Sequence, residues 1–183
     1  IDVVNPYFAA REARTVLEAH GVAVAAPSAK TTTADLSVLP GAVYQYLHAA
    51  NHVVVIDVGG DPVGARILSS LHGHLNGKNL QTYCVVNTKR PSTSIYQGIL
   101  TYIDNISAAA RLQITGLIHN THLLYETSVE DILQGQTLLE RVSAQTGLPI
   151  VLTAAMQNLA QVIPPLENDI LPMERYLKPP YDT

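Results

Sequence analysis

Gln113-Ile114-Thr115-Gly116-Leu117-Ile118-His119-Asn120 reads as a strand that runs through a buried sheet and leaves it on a polar residue. Its apolar residues do not alternate strictly with polar ones, the pattern of a strand covered on both faces inside a parallel sheet. Working outward, Thr82-Tyr83-Cys84-Val85-Val86-Asn87 and Pro149-Ile150-Val151-Leu152-Thr153 repeat that texture on either side. Further upstream, His52-Val53-Val54-Val55-Ile56-Asp57 and Val22-Ala23-Val24-Ala25 complete five such runs. Helix-length stretches separate them at 11–20, 41–50, 94–110 and 128–146. The first stops at Gly21, and the last opens on Ser128-Val129-Glu130-Asp131 and stops at Gly147 before Pro149. Those ends carry a capping-box start and a left-handed glycine stop. Strands alternating with helices predict an α/β domain, three layers (α/β/α) around a mainly parallel sheet, over residues 1–160. Five of the eleven prolines fall between 164 and 180. Residues 161–183 are therefore expected to form an extended surface tail without helix or strand, a linker or a dimer arm.

Composition narrows the function classes. At 47% hydrophobic and 14% charged residues in 183, the chain is not intrinsically disordered. Eleven Lys+Arg against fifteen Asp+Glu leave a net charge of −4 and a pI near 5.9, which argues against nucleic acid as the partner. A single cysteine, Cys84, excludes a disulfide framework and fits a reducing, cytoplasmic setting. No apolar run reaches the length of a membrane span, and no signal peptide opens the sequence.

In open parallel sheets ligands bind beyond the carboxyl ends of the strands. Here those ends are polar: Asp2 to Asn5, Asp57-Val58-Gly59-Gly60-Asp61, Asn87-Thr88-Lys89-Arg90 and Asn120-Thr121-His122. These residues, with Asp2, Asp57, Asn87 and Asn120 foremost, are expected along one common edge. A carboxylate after four apolar residues can hold Mg²⁺ directly or through water, and the glycines that follow let backbone N–H groups approach a phosphate. The alternative is a plain turn in which Asp61 caps the next helix. Lys30-Thr31-Thr32-Thr33 imitates the end of a phosphate loop, but Val24 and Ala29 stand where GxxxxGK needs glycine. It is expected to be a surface loop. His72-x-His74 and His119-x-x-His122 have metal-like spacing without a Cys pair or acid cluster in support. The first reads as a surface pair and the second as a strand end beside a nucleotide. No G-x-S-x-G elbow and no G-x-G-x-x-G after a strand is present.

Val53-Val54-Val55-Ile56-Asp57-Val58-Gly59-Gly60-Asp61-Pro62-Val63-Gly64-Ala65 resembles the Walker B and switch II region of the MinD/ParA/cobyrinic-acid-synthase-like P-loop ATPases. Asp2-Val3-Val4-Asn5-Pro6-Tyr7-Phe8 resembles the segment after their second strand, and Ile114 to Asn120 resembles the later strand that ends on an adenine-contacting Asn. The whole is most similar to a bacterial ATP-binding branch of that superfamily. The resemblance implies ATP and Mg²⁺ as cofactors and a homodimeric ATPase switch. Asp57 would hold the Mg²⁺ shell, Gly60 would offer its N–H to the γ-phosphate, and Gly59 beside it would belong to the nucleotide-binding set. Asp2 would orient the attacking water, and Asn120 would read the adenine edge. Hydrolysis at such a site is positioning plus electrostatic stabilisation. The family's phosphate loop stands ahead of the position matching Asp2, a segment the sequence as written does not include. The chain as it stands is thus expected to bind ATP poorly and hydrolyse it hardly at all. The alternative function is a non-enzymatic binding or scaffold domain that keeps the fold.

Overall fold

The computed structural model describes residues 13–25 and 41–176. Asp2 and the 30–33 segment lie outside them. The chain divides into two units, one taking in the described residues up to Lys78 with Ala109–Arg111 and Tyr176, the other Asn79–Ala108 and Leu112–Arg175.

The first unit holds α1 (Arg14–Ala19), α2 (Gly41–His48) and α3 (Pro62–Leu75). Helix α3 begins where the sequence provides a cap: the Asp61 carboxylate accepts the Gly64 N–H at 2.7 Å, and Pro62 occupies the first turn. The capping role offered as the alternative for Asp61 is therefore the one it plays. Helix α3 buries Ala65, Leu68, Leu71 and Leu75, and α2 buries Val43 and Leu47, both at helical spacing.

Two expected strands are absent here. Neither 22–25 nor 52–57 forms a strand, and Val53 and Val55 are 95% and 88% exposed. An apolar β-branched run satisfies the pattern of a buried strand, but it needs ladder partners for its backbone, and none pairs with it among the described residues.

The second unit contains the sheet. Strands β1 (Tyr83–Val86), β2 (Gly116–His119), β3 (Ile150–Met156) and β4 (Asp169–Met173) lie in that order, and every pairing is parallel. The α/β class with a parallel sheet is as the sequence predicts, and β1 to β3 are three of its five runs. The fourth strand corrects the reading of the tail: residues 169–173 pair along β3 from Leu152↔Asp169 to Met156↔Met173. Pro172 is tolerated because β4 is an edge strand, where one lost N–H breaks no ladder on its outer side. Ile163, also in the supposed tail, is buried against Ile132 and Ala155.

Helices α4 (Tyr96–Ala110) and α5 (Val129–Thr146) connect the strands, followed by the short α6 (Gln157–Ala160). Alternate residues of β1, Cys84 and Val86, join Ile99 and Ile103 of α4, Leu117, and Leu139 and Val142 of α5 in one core, while Tyr83 and Val85 remain exposed. Helix α5 begins and ends where its sequence says. Ser128 and Asp131 form a reciprocal capping box, and Gly147 closes the helix at φ 73°, a left-handed conformation that favours glycine. Among the described residues no helix is long and apolar enough to cross a membrane.

Burial sets the cost of mutation. Leu139→Ala, a fully buried core truncation, should lower unfolding free energy by about 2–5 kcal/mol in a denaturant titration. Val53→Ala should stay within about 0.5 kcal/mol of wild type. A core-sized cost at Val53 would restore 52–57 as a buried strand.

Candidate functional site

The carboxyl ends of β1 and β2 stand side by side, and the loops leaving them are tied together by side chains. The Asn87 amide spans the gap: its Nδ2 donates to the His122 carbonyl at 3.0 Å, and its Oδ1 accepts the N–H groups of His122 at 3.2 Å and Lys89 at 2.9 Å. The Asn120 N–H donates to the Val86 carbonyl at 2.8 Å, extending the parallel ladder by one bond. The Thr93 hydroxyl donates to the Asn87 carbonyl at 2.7 Å. Of the residues expected along a common edge, the structure thus brings Asn87 and Asn120 together.

Beneath this edge lies a buried polar chain. His119 has no exposed surface. Its Nδ1 is 3.1 Å from Gln136 Oε1, an acceptor, so Nδ1 carries the proton; Nε2, 2.7 Å away, then accepts from the Thr121 hydroxyl. Thr121 Oγ1 in turn receives the Thr88 N–H at 3.2 Å and the Thr88 hydroxyl at 3.0 Å. On the other side the Thr153 hydroxyl donates to Gln136 Oε1 at 3.0 Å and accepts from Asn168 Nδ2 at 2.9 Å. Gln136 Nε2 donates to Asn168 Oδ1 at 2.9 Å and Glu140 Oε1 at 3.1 Å. The chain therefore links β1, β2, β3, α5 and the approach to β4. Gly135 makes room for it: a Cβ there would sit 2.5 Å from Thr121 Oγ1 and 2.6 Å from His119 Nε2.

The alternation of an extended chain puts His119 and Thr121 inward and leaves Asn120 between them, half-buried. Its neighbours are all held, His119 and Thr121 by the buried chain and His122 by Asn87. Among the described residues the Asn120 side-chain amide itself makes no hydrogen bond. Such an amide, on a held backbone at the carboxyl edge of a parallel sheet, is placed to meet a ligand.

Charge at the edge is partly committed. Lys89 Nζ is 2.6 Å from Asp131 Oδ1, which ties the loop after β1 to the first turn of α5. Hydrogen bonds from Lys89 and Ser128 hold the Asp131 carboxyl well below the usual carboxylate range. Burial, reinforced by Arg90 and Arg175, depresses His122. Leu124 adopts φ 54°, unusual for leucine, and exposes its side chain beside Leu123 and Tyr125 in the turn that follows.

Asp57, Gly59 and Gly60 fall in the first unit. Asp57 and Gly60 are exposed in the first unit, in the irregular segment before α3. Gly59 lies against Gly64, where an added Cβ would come within 2.8 Å of the Gly59 Cα. His72 is exposed, whereas His74 Nδ1 lies 3.0 Å from His48 Nε2, with the Tyr44 ring edge-on at 4.9 Å. No cluster of three or more His, Cys, Asp or Glu able to hold a metal occurs among the described residues. Burial pushes the Cys84 thiol up to about 12, which leaves it inert.

Sequence reading missed Gln136, Thr153 and Asn168. Gln136 had a detectable signature: it stands on the helix stripe Ile132, Gly135, Leu139, Val142, where an apolar residue is the norm. No protein-family model, curated protein or solved structure matches the chain.

The buried imidazole makes stability pH-dependent. Burial, partly offset by the Gln136 hydrogen bond, lowers His119 from 6.5 to about 4. In this window the unfolded chain binds the proton more readily, so stability is complete above pH 6.5 and falls as pH drops toward 4. Chemical denaturation should show wild type losing about 2 kcal/mol between pH 7 and pH 5. His119→Gln should flatten that slope, even though it lowers stability at pH 7. An equally steep slope in the variant would place the titrating group elsewhere.

Proposed function

We propose that the carboxyl edge of this parallel sheet binds an adenine nucleotide, with Asn120 reading the base. The domain would then be an ATP-dependent, Mg²⁺-requiring switch of the P-loop ATPase kind, as the sequence resemblance implies. The observation that carries the reading is the half-buried Asn120 side-chain amide, which makes no hydrogen bond among the described residues and stands between residues that are held. An amide offers one acceptor and one donor side by side, which matches the N6 amino group and ring nitrogen of adenine. Guanine presents two acceptors in the same places. Whichever way the amide turns, one of its atoms then meets a group of like kind.

The catalytic half of the reading rests on sequence. Asp57 would hold Mg²⁺, which binds through one or two carboxylates together with substrate phosphates, so a single carboxylate is a sufficient protein contribution. The metal would neutralise phosphate charge. Gly59 and Gly60 would offer backbone N–H groups to the γ-phosphate, and Asp2 would orient water. A homodimer is the assembly this reading implies. The second reading, nucleotide binding without hydrolysis, is favoured by the exposed 52–57 run, because Asp57 does not close a strand there.

Titration calorimetry on the full chain separates the readings. ATP should bind more tightly than GTP, and Asn120→Ala should erase about 5- to 150-fold of that preference, the worth of a bidentate amide–base pair. For the switch, Mg²⁺ should tighten ATP binding and Asp57→Asn should remove the gain without moving the melting temperature. Binding indifferent to Mg²⁺ and to Asp57→Asn supports the non-enzymatic reading. Equal affinity for ATP and GTP in wild type would overturn the adenine assignment.

A further inference from the structure

We infer that Thr121, locked by His119 and Thr88, is the positioning residue that gives the Asn120 amide its selectivity. This rests on the reading of the edge as an adenine site. A bidentate contact discriminates only if the amide cannot slide to keep one good bond and abandon the other. Displacement of about 1 Å is enough to lose such geometry. Rotation of the amide does not rescue the wrong base, so the quantity that must be fixed is the place of the Asn120 backbone.

Three anchors fix it. On the near side, the Asn120 N–H is bonded to the Val86 carbonyl at 2.8 Å. On the far side, Asn87 grips both backbone polar groups of His122. Between them Thr121 Oγ1 is a three-way junction, donating to His119 Nε2 at 2.7 Å and receiving both the N–H and the hydroxyl of Thr88. Thr121 is 2% exposed, so its hydroxyl has no access to water as a substitute partner. Gly135 closes the junction from the α5 side, since any Cβ there would collide with Thr121, His119 and Thr88. No ligand contact is required of Thr121 itself: it acts through Asn120.

Thr121→Val keeps the shape and removes the hydroxyl; Thr121→Ser keeps the hydroxyl and removes a methyl group. Each is titrated as the full chain with ATP and with GTP. Thr121→Val should reduce the ATP-over-GTP preference about tenfold by weakening ATP binding, with GTP affinity unchanged, whereas Thr121→Ser should stay within about twofold of wild type. A merely structural role would lower the melting temperature of both variants and leave the affinity ratio alone. If Thr121→Val does not fold, Thr88→Val, which removes one bond to the same oxygen, is read instead and should lower the ratio in the same direction. An unchanged ratio in the folded variant overturns the positioning role while the adenine reading stands. A wild-type protein with no preference for ATP overturns both.

Discussion

An imidazole with no exposed surface must satisfy two nitrogens without water, and the way His119 does so organises the sheet end. Its proton goes to Gln136 on α5 and its lone pair to the Thr121 hydroxyl. Those choices draw in Thr88 after β1, Thr153 in β3 and Asn168 before β4. Removing one member would leave a buried donor or acceptor stranded, at a cost of about 1–3 kcal/mol. Apolar packing of Val86, Leu117, Leu139 and Val142 supplies the driving force for this core. It is non-directional, and the polar chain supplies the register that it lacks. Gly135 is the matching concession in the helix, where any larger residue would push α5 off the hydroxyls it covers.

The same arrangement leaves the Asn120 amide available at the edge. His119 and Thr121 spend their side-chain polar atoms inside the protein, and Asn87 spends its amide on the backbone of His122 and Lys89. Lys89 is engaged by Asp131. Among the described residues the Asn120 side-chain amide makes no hydrogen bond, and its backbone is held at Val86 and by its neighbours. Preorganisation of this kind lowers the ordering cost of binding and sharpens discrimination. The proposed recognition of adenine thus depends on groups that never touch the ligand.

The second unit was legible wherever local chemistry and tertiary context agreed. Ser128, Asp131 and Gly147 mark the ends of α5 by capping chemistry alone, and the apolar runs at β1, β2 and β3 found ladder partners. The 52–57 run has the same composition and no such partner among the described residues, so propensity without pairing misled. The error at β4 runs the other way. Proline density argued against a strand at 169–173, but β4 lies at the sheet edge, where a proline is tolerated. At the site, Asn87 and Asn120 could be read from their place at strand ends. Gln136, Thr153 and Asn168 could not, because their meaning lies in contacts between distant segments, although Gln136 interrupts an apolar helix stripe.

In the proposed site the Asn120 amide is the group that meets the base. The most direct measurement is the side-chain amide resonance of Asn120, assigned through Asn120→Asp and followed by heteronuclear NMR as nucleotides are added. AMP and ATP should move this resonance in a saturable way, while GMP at equal concentration leaves it in place. An Asn120 amide resonance that stays put while ATP shifts signals elsewhere in the protein would contradict that role.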